Sequence, residues 1–322
     1  MVGSQFLAYI TLTAVLIGSS TAQLARAGRP AVSFSKQPGQ LNIAIGGQPF
    51  ATYHYQDKVT TRPYFKHVHA PGGIQATRTF PPVEGKDAMD HPTFHPGIWM
   101  AFGDITGHDY WRLKARIAHD GFVGKPQGGT GQGAFTVKNR YLTEDRTGTV
   151  CTETCRFHIL VRPLSYLLVW DSTFQSATGE INFGDQEEMG VAFRIVTPAS
   201  VVEKGHIIDS QGRRDEKQIW GKRAEWCDYS GPVAGHHVGI TVVPDPTITG
   251  RCWWHARDSG FMCSNPFGCT SFGGEKRKMI VPKGESFRLR YGLVIHSSPN
   301  ASEYDVQAAV KDCLLQLRKL VE

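Results

Sequence analysis

Val150-Cys151-Thr152-Glu153-Thr154-Cys155-Arg156-Phe157-His158-Ile159-Leu160-Val161 places apolar side chains at positions 151, 155, 157, 159 and 161, and beyond Pro163 the run Tyr166-Leu167-Leu168-Val169-Trp170-Asp171-Ser172-Thr173-Phe174 continues as a second apolar-rich segment. A period of two is the signature of a strand, because successive Cβ atoms point to opposite faces of a sheet. The same texture recurs outward in both directions. It is found at Leu41 to Ile45, Phe50 to Tyr55 and Ala134 to Tyr141. It continues at Val191 to Val196, Val238 to Val243, Met279 to Val281 and Phe287 to His296. Gly, Pro, Asn or Asp separate these segments, which predicts an all-β antiparallel sandwich or barrel. Cys151 and Cys155 would share one face of their strand, ~13 Å apart if it is flat, too far for a disulfide without a bend. The pairing of the seven cysteines stays open.

One long helix is expected, Glu303 to Leu320, with Ser302 as N-cap and Val306, Val310, Cys313, Leu314 and Leu317 as its apolar stripe. It should pack outside a sheet. No repeat of fixed period and no low-complexity linker divides the chain, so residues 23–322 are read as a single domain. Phe6 to Gly18 is apolar and is followed by the small residues Ser20-Thr21-Ala22, which marks residues 1–22 as a secretory signal and predicts a secreted or periplasmic protein. No later apolar run reaches 18 residues, so no integral membrane domain is expected in the mature chain. Hydrophobic residues make up 40% and charged residues 20%, which excludes a disordered chain. The net charge of +6 is scattered rather than clustered, which argues against nucleic-acid binding.

Polar and aromatic residues concentrate in two stretches. The first holds Arg62, His69, Arg78, Asp90-His91-Pro92-Thr93-Phe94-His95-Pro96-Gly97-Ile98-Trp99, Asp104 and Asp109-Tyr110-Trp111. The second holds Asp185-Gln186-Glu187-Glu188, then Trp220-Gly221-Lys222-Arg223-Ala224-Glu225-Trp226-Cys227-Asp228-Tyr229-Ser230-Gly231, Trp254-His255-Ala256-Arg257-Asp258 and Asn265-Pro266-Phe267-Gly268. Taken in order over most of positions 60–300, these motifs resemble the bacterial PmoA-like family, otherwise a domain of unknown function. The resemblance implies a large β-sandwich akin to galactose mutarotase folds, in exported proteins connected with carbohydrate metabolism. The methane oxidation suggested by the family name is not expected, since an integral methane oxygenase needs spanning helices that this sequence lacks.

The residues themselves fit a carbohydrate or small polar substrate. Trp99, Trp111, Trp220 and Trp254 offer aromatic faces, and Arg62, Arg78, Asp104, Asp109, Arg223, His255, Arg257 and Asn265 offer hydrogen bonds to hydroxyl groups. Acid–base chemistry would draw on Glu187 or Glu188 with His91, His95 or His69. If the two glutamates lie on a strand, only one of them can enter a site. Epimerisation, hydrolysis and elimination all remain open. His69, His91 and His95 are also the candidates for a divalent metal, as in an oxidase or lyase, although Pro92 and Pro96 mean that a loop rather than a helix would build the geometry. A non-catalytic sugar-binding module would keep the tryptophans but not depend on the glutamates or histidines. Other stretches carry simpler readings. Extended backbone at His236-His237 cannot put both rings on one side, Glu275 to Lys278 reads as a solvated hairpin tip, and the Gly128–Gly133 run lacks the Lys-Ser/Thr of a phosphate loop.

Overall fold

A computed structural model describes residues 28–320 apart from 177, 248–249, 269 and 275–278. Residues 1–22, read as a signal, residues 275–278, read as a hairpin tip, and Cys269 therefore lie outside the described residues. Two nine-stranded antiparallel sheets form a sandwich. The first sheet runs, edge to edge, through Val32–Gln37, Gln40–Ile45, Gln48–His54, Tyr64–Lys66, Ile98–Phe102, Met189–Arg194, Phe261–Asn265, Cys252–Arg257 and Lys222–Ala224. The second runs through His206–Asp209, Cys227–Val233, His236–Pro244, Ser286–Ser298, Ser165–Gln175, Thr149–Val161, Gln132–Leu142 and Ile117–Phe122, with the short strand Gln127–Gly129 attached to Gln132–Leu142.

Alternation decides which side chains enter the space between the sheets. Tyr53 of the first sheet meets Phe135 and Phe157 of the second at a ring separation of 5.2 Å, and Phe65 meets Phe157 at 5.1 Å and Trp170 at 5.7 Å. Burying an aromatic side chain in this way contributes about 1.5–3 kcal/mol. Cys151 and Cys155 fall on this inner face, as their spacing predicts, and they are buried thiols rather than a disulfide, as are Cys227 and Cys313.

Both sheets also have covered outer faces. A helix at Val306–Lys319 lies over the second sheet and buries Val310, Cys313 and Leu317 against Leu167, Val169, Val243 and Val294. It begins three residues later than expected. Its N-cap is Asp305, which accepts the Ala308 N–H at 3.0 Å, whereas Ser302 belongs to a preceding 3-10 turn that Asn300 caps. No helix among the described residues is long and apolar enough to cross a membrane.

Over the first sheet the cover is made of loops. Cross-strand partners share a face, and the register runs from Tyr64 to Trp99, Ala192, Cys263 and His255 across five strands. One step away, Arg194, Phe261 and Arg257 form a parallel row. Loops 78–96 and 103–116 close over Trp99 with Phe80, Phe94 and Trp111.

Candidate functional site

Two buried arginines organise the loops above the first sheet. Arg62 donates to the carbonyls of Tyr110 (3.2 Å), Trp111 (2.6 Å) and Phe94. Arg78 donates to those of Ala88 (2.7 Å), Asp90 (2.9 Å) and His95 (3.0 Å). The terminal nitrogens of both guanidinium groups go mainly to main-chain oxygens, so these residues hold the loops. Asp109 accepts the Trp111 and Arg112 N–H groups, and Asp104 accepts that of Gly107, so both carboxylates stabilise turns. Trp99, Trp111 and Trp254 are fully buried and present no face to a sugar. Arg223 lies outside, bonded to the Arg251 carbonyl. Arg62, Arg78, Asp109, Trp99, Trp111 and Trp254 thus serve loop closure and the core, and neither Asp104 nor Arg223 lines the cavity described next.

The loops and the sheet enclose a cavity of about 170 Å³ lined by Asp90, His91, His95, Glu187, Glu188 and Arg194, with His255, Arg257, Ser259 and Phe261 completing the wall. Six of the predicted site residues meet there: Glu187, Glu188, His91, His95, His255 and Arg257. His69 does not; it lines a different depression. Trp220 stays half-buried beside the wall, under the Arg257 guanidinium at 5.7 Å.

Both glutamates line the cavity because residues 184–188 are a bend before the strand Met189–Arg194, so the alternation argument does not apply to them. Asn265 holds the bend by donating to the Gln186 and Glu187 carbonyls at 2.9 and 3.2 Å. Gly190, at φ 115°, lets it approach; a Cβ there would fall 2.3 Å from the Ser264 carbonyl oxygen. Asn265 thus positions Glu187 instead of contacting ligand.

The three carboxylates are not equivalent. Asp90 is gripped by both terminal nitrogens of Arg194 and by Arg78 at 3.3 Å. Burial pushes its pKa up, but the bonds and charge of Arg194, with Arg78, outweigh this and hold it below the usual range. Glu188 pairs with Arg112, yet burial, with Glu187 and Asp109 nearby, leaves it raised. Among the described residues no Lys or Arg comes within salt-bridge reach of Glu187; its ionisable neighbour is His255, whose Nδ1 lies 3.9 Å from Oε2. Burial, reinforced by Arg257, lowers His255 to about 3, so its imidazole is neutral at ordinary pH. Nδ1 of this ring is buried and has no hydrogen-bond partner.

Asp90, His91 and His95 each present a ligand-type atom within 4.8 Å of one another, the grouping a divalent ion would need. Two of the three are already committed. Asp90 serves the arginines. Trp111 donates its indole N–H to His95 Nε2 at 3.3 Å, and since indole is a donor only, that nitrogen must accept. The proton of neutral His95 then sits on Nδ1, so neither nitrogen can offer a lone pair to a metal while this bond lasts. Burial, together with His91 and the arginines Arg194, Arg62 and Arg78, keeps the His95 pKa far below its usual range. The ring is stacked between Trp99 (5.0 Å) and Phe261 (4.9 Å). The donor set does not fit a resident metal, and His69 does not converge on it.

Sequence reasoning missed Arg194, Arg112, Ser259 and Phe261. Arg194 ends an apolar strand, and nothing local distinguishes it from a solvated strand terminus; its role depends on Asp90, 104 positions away.

The chain belongs to DUF6807, a family of unknown function, which matches residues 40–311. No curated protein matches the chain. Among solved structures it is similar to an alpha-galactosidase from Lactobacillus brevis (6% identity, TM-score 0.41) and to the GH36 alpha-galactosidase AgaB from Geobacillus stearothermophilus (12%, 0.42). Both likenesses cover 83% of this chain but 39% and 41% of those chains, so it spans about two fifths of their length. A galactose mutarotase-like protein from Lactobacillus casei is similar over 82% of this chain and 100% of its own, at 8% identity and a TM-score of 0.32. TM-scores this low carry no argument about this chain.

Proposed function

We propose that the chain is an enzyme that transfers a proton on a small sugar or sugar-derived molecule held on the outer face of the first sheet. The observation that carries this reading is the Glu187–His255 pair, a carboxylate without a cationic partner beside a buried neutral imidazole, on the wall of one cavity. Glu187 is the base. Neutral His255 donates a hydrogen bond to the substrate oxygen on which charge develops, a role that imidazole fills best when burial keeps it unprotonated. A cavity of about 170 Å³ is below the ~300–1,000 Å³ of sites for drug-sized ligands, and its wall is dense in donors and acceptors, which suits one small polyhydroxylated molecule.

Asp90 and Glu188 are both engaged by arginine, which favours epimerisation or elimination over the two-carboxylate chemistry of glycoside hydrolysis. The raised pKa of Glu188 beside Glu187 supports hydrolysis as a second reading, with Glu188 as acid. On either reading, residues 1–22 would direct the protein out of the cytoplasm.

Proton NMR in D2O tests the proposal with purified protein and a panel of aldoses, ketoses, uronic acids and simple glycosides. Anomer exchange or carbon-bound deuterium that wild type accelerates and Glu187→Gln does not would support the first reading; glycoside cleavage would support the second. If no member of the panel turns over or binds, both readings fail.

A further inference from the structure

At the opposite end of the same outer face lies a larger depression, of about 440 Å³, within the usual size of a ligand site. It is built on Val32–Gln37, Gln40–Ile45 and Gln48–His54, the edge of the first sheet remote from His255. Between Gln48–His54 and Met189–Arg194 stand Tyr64–Lys66 and Ile98–Phe102, a separation of three strand spacings or roughly 14 Å. The two cavities are therefore distinct.

The chemistry of this wall differs from that of the first cavity. It contains no Asp, Glu, Lys or Arg. Its polar groups are the hydroxyls of Ser33, Ser35 and Thr52, the amide of Asn42 and the imidazoles of His67 and His69, and its apolar surface includes Phe34, Ala44 and Pro49. Ser35, Asn42 and Thr52 are direct cross-strand partners, so their side chains stand in a row on one face. Asn42 Oδ1 accepts from Gln40 Nε2 (3.2 Å) and Thr52 Oγ1 (3.3 Å), which orients the amide and leaves both Nδ2 hydrogens to donate. His69 Nδ1 is buried and has no hydrogen-bond partner. His67 is held at φ 50°, a left-handed conformation that non-glycine residues rarely adopt and that clusters at binding sites.

We propose that this depression is a second binding site, for a neutral glycan, separate from the acid–base cavity. An array of hydroxyl, amide and imidazole groups with small apolar patches matches a ligand that presents hydroxyls and C–H surface but no charge; an anionic ligand would find no cation in the wall. That the ligand is a sugar rests on the proposed function, whereas the location and the neutrality rest on the depression alone.

The test is titration calorimetry of the full chain with neutral oligosaccharides, glucans, galactans, mannans and xylans, and with acidic uronate oligomers as the charged comparison. At least one neutral oligosaccharide should bind wild type. Asn42→Ala should weaken it at least tenfold, and Ala44→Trp, which fills the depression from an outward-facing position, should abolish it. Glu187→Gln should bind it as wild type does. Thermal melting of each variant checks folding, and Ala44→Trp decides the matter if Asn42→Ala fails to fold. Unaltered binding by both depression variants overturns the proposal, as does binding of uronates alone or of no oligosaccharide. Loss of binding in Glu187→Gln but not in Asn42→Ala would instead place the ligand in the first cavity. Turnover lost in Glu187→Gln with glycan binding intact separates the two sites.

Discussion

On the outer face of the second sheet, Asp228 meets His296 at 3.0 Å beneath the C-terminal segment; on the outer face of the first, Glu187 stands 3.9 Å from His255 at a cavity wall. Both are carboxylate–imidazole pairs, the first on two strands and the second joining a strand to the bend before another, and they are treated in opposite ways. Asp228 Oδ1 also accepts from Thr241 (2.7 Å), and Oδ2 accepts from Ser230 (2.6 Å). Tyr304 stacks flat on His296 at 3.6 Å, and both members of the pair are buried. Gly239 makes the room, since a Cβ there would fall 2.4 Å from His296 Nε2. Burial would raise the Asp228 carboxyl, but His296 and the hydroxyl bonds hold it well below the usual range. The carboxylate of Glu187, 30% exposed, has no comparable set of donors. A pair whose carboxylate is held by an imidazole and two hydroxyl donors under a solid cover stabilises the fold. One whose carboxylate lacks such donors beside a cavity is available for chemistry.

Breaking each pair in turn should give the largest effects. Removing one member of a buried hydrogen-bonded pair leaves the other uncompensated, so Asp228→Ala should cost about 3–5 kcal/mol, measured as the shift in a denaturant midpoint at constant slope. Glu187→Ala, by the same measurement, should stay within about 1 kcal/mol. Equal costs would erase the distinction between the two faces. In turnover the order reverses. Glu187→Gln should lose about 10²–10⁴-fold, the usual worth of a general base. Thr241→Val, which removes one hydroxyl donor from Asp228, should leave turnover per folded molecule unchanged.

The pH dependence of stability sharpens the contrast. His255 falls from an ordinary value of about 6.5 when unfolded to about 3 when folded. The unfolded chain therefore binds the proton first as pH drops, so this contribution is fully present above pH ~6.5 and is lost as pH falls toward 3. The slope is at most about 1.4 kcal/mol per pH unit. Asp228 is also depressed, but its unfolded pKa is that of an ordinary carboxyl, about 3.9, so its contribution persists to lower pH and is lost only below that value. His255→Gln should flatten the stability curve by one proton between pH ~6.5 and 3, while Asp228→Asn should change it only below pH ~4. An unchanged slope in His255→Gln would mean that the imidazole is not held neutral.

The strands that alternate were readable one by one. Thr149–Val161 and Ser286–Ser298 sit on the second sheet with one face in the core, and their period survives in the sequence. Ile98–Phe102 is buried at every position because loops cover its outer face, so it has no alternation to read. The same covering explains the misread ligand groups. Arg62, Arg78 and Trp99 belong to types that bind sugars, but whether a guanidinium meets a ligand or the carbonyls of a loop 10–49 residues away is decided only by how the loops close. Glu187 and His255 were each legible as polar residues in an informative stretch. Their pairing was not, because it depends on strands Met189–Arg194 and Cys252–Arg257 flanking Phe261–Asn265 in the sheet.

The smallest effect concerns the covers themselves. Asp305 caps the helix over the second sheet through one bond to the Ala308 N–H, and Asp305→Ala should cost about 1 kcal/mol of stability, seen as a small fall in melting temperature. Fraying there loosens the chain next to Tyr304 and hence the lid on His296, yet it touches nothing in the loops that Arg62 and Arg78 hold over the first sheet. Turnover and glycan binding should therefore match wild type at temperatures where the variant is folded. If the cap variant instead lost activity in proportion to stability, the two outer faces would be coupled through the core between them, and the division into one stabilising pair and one reactive pair would have to be given up.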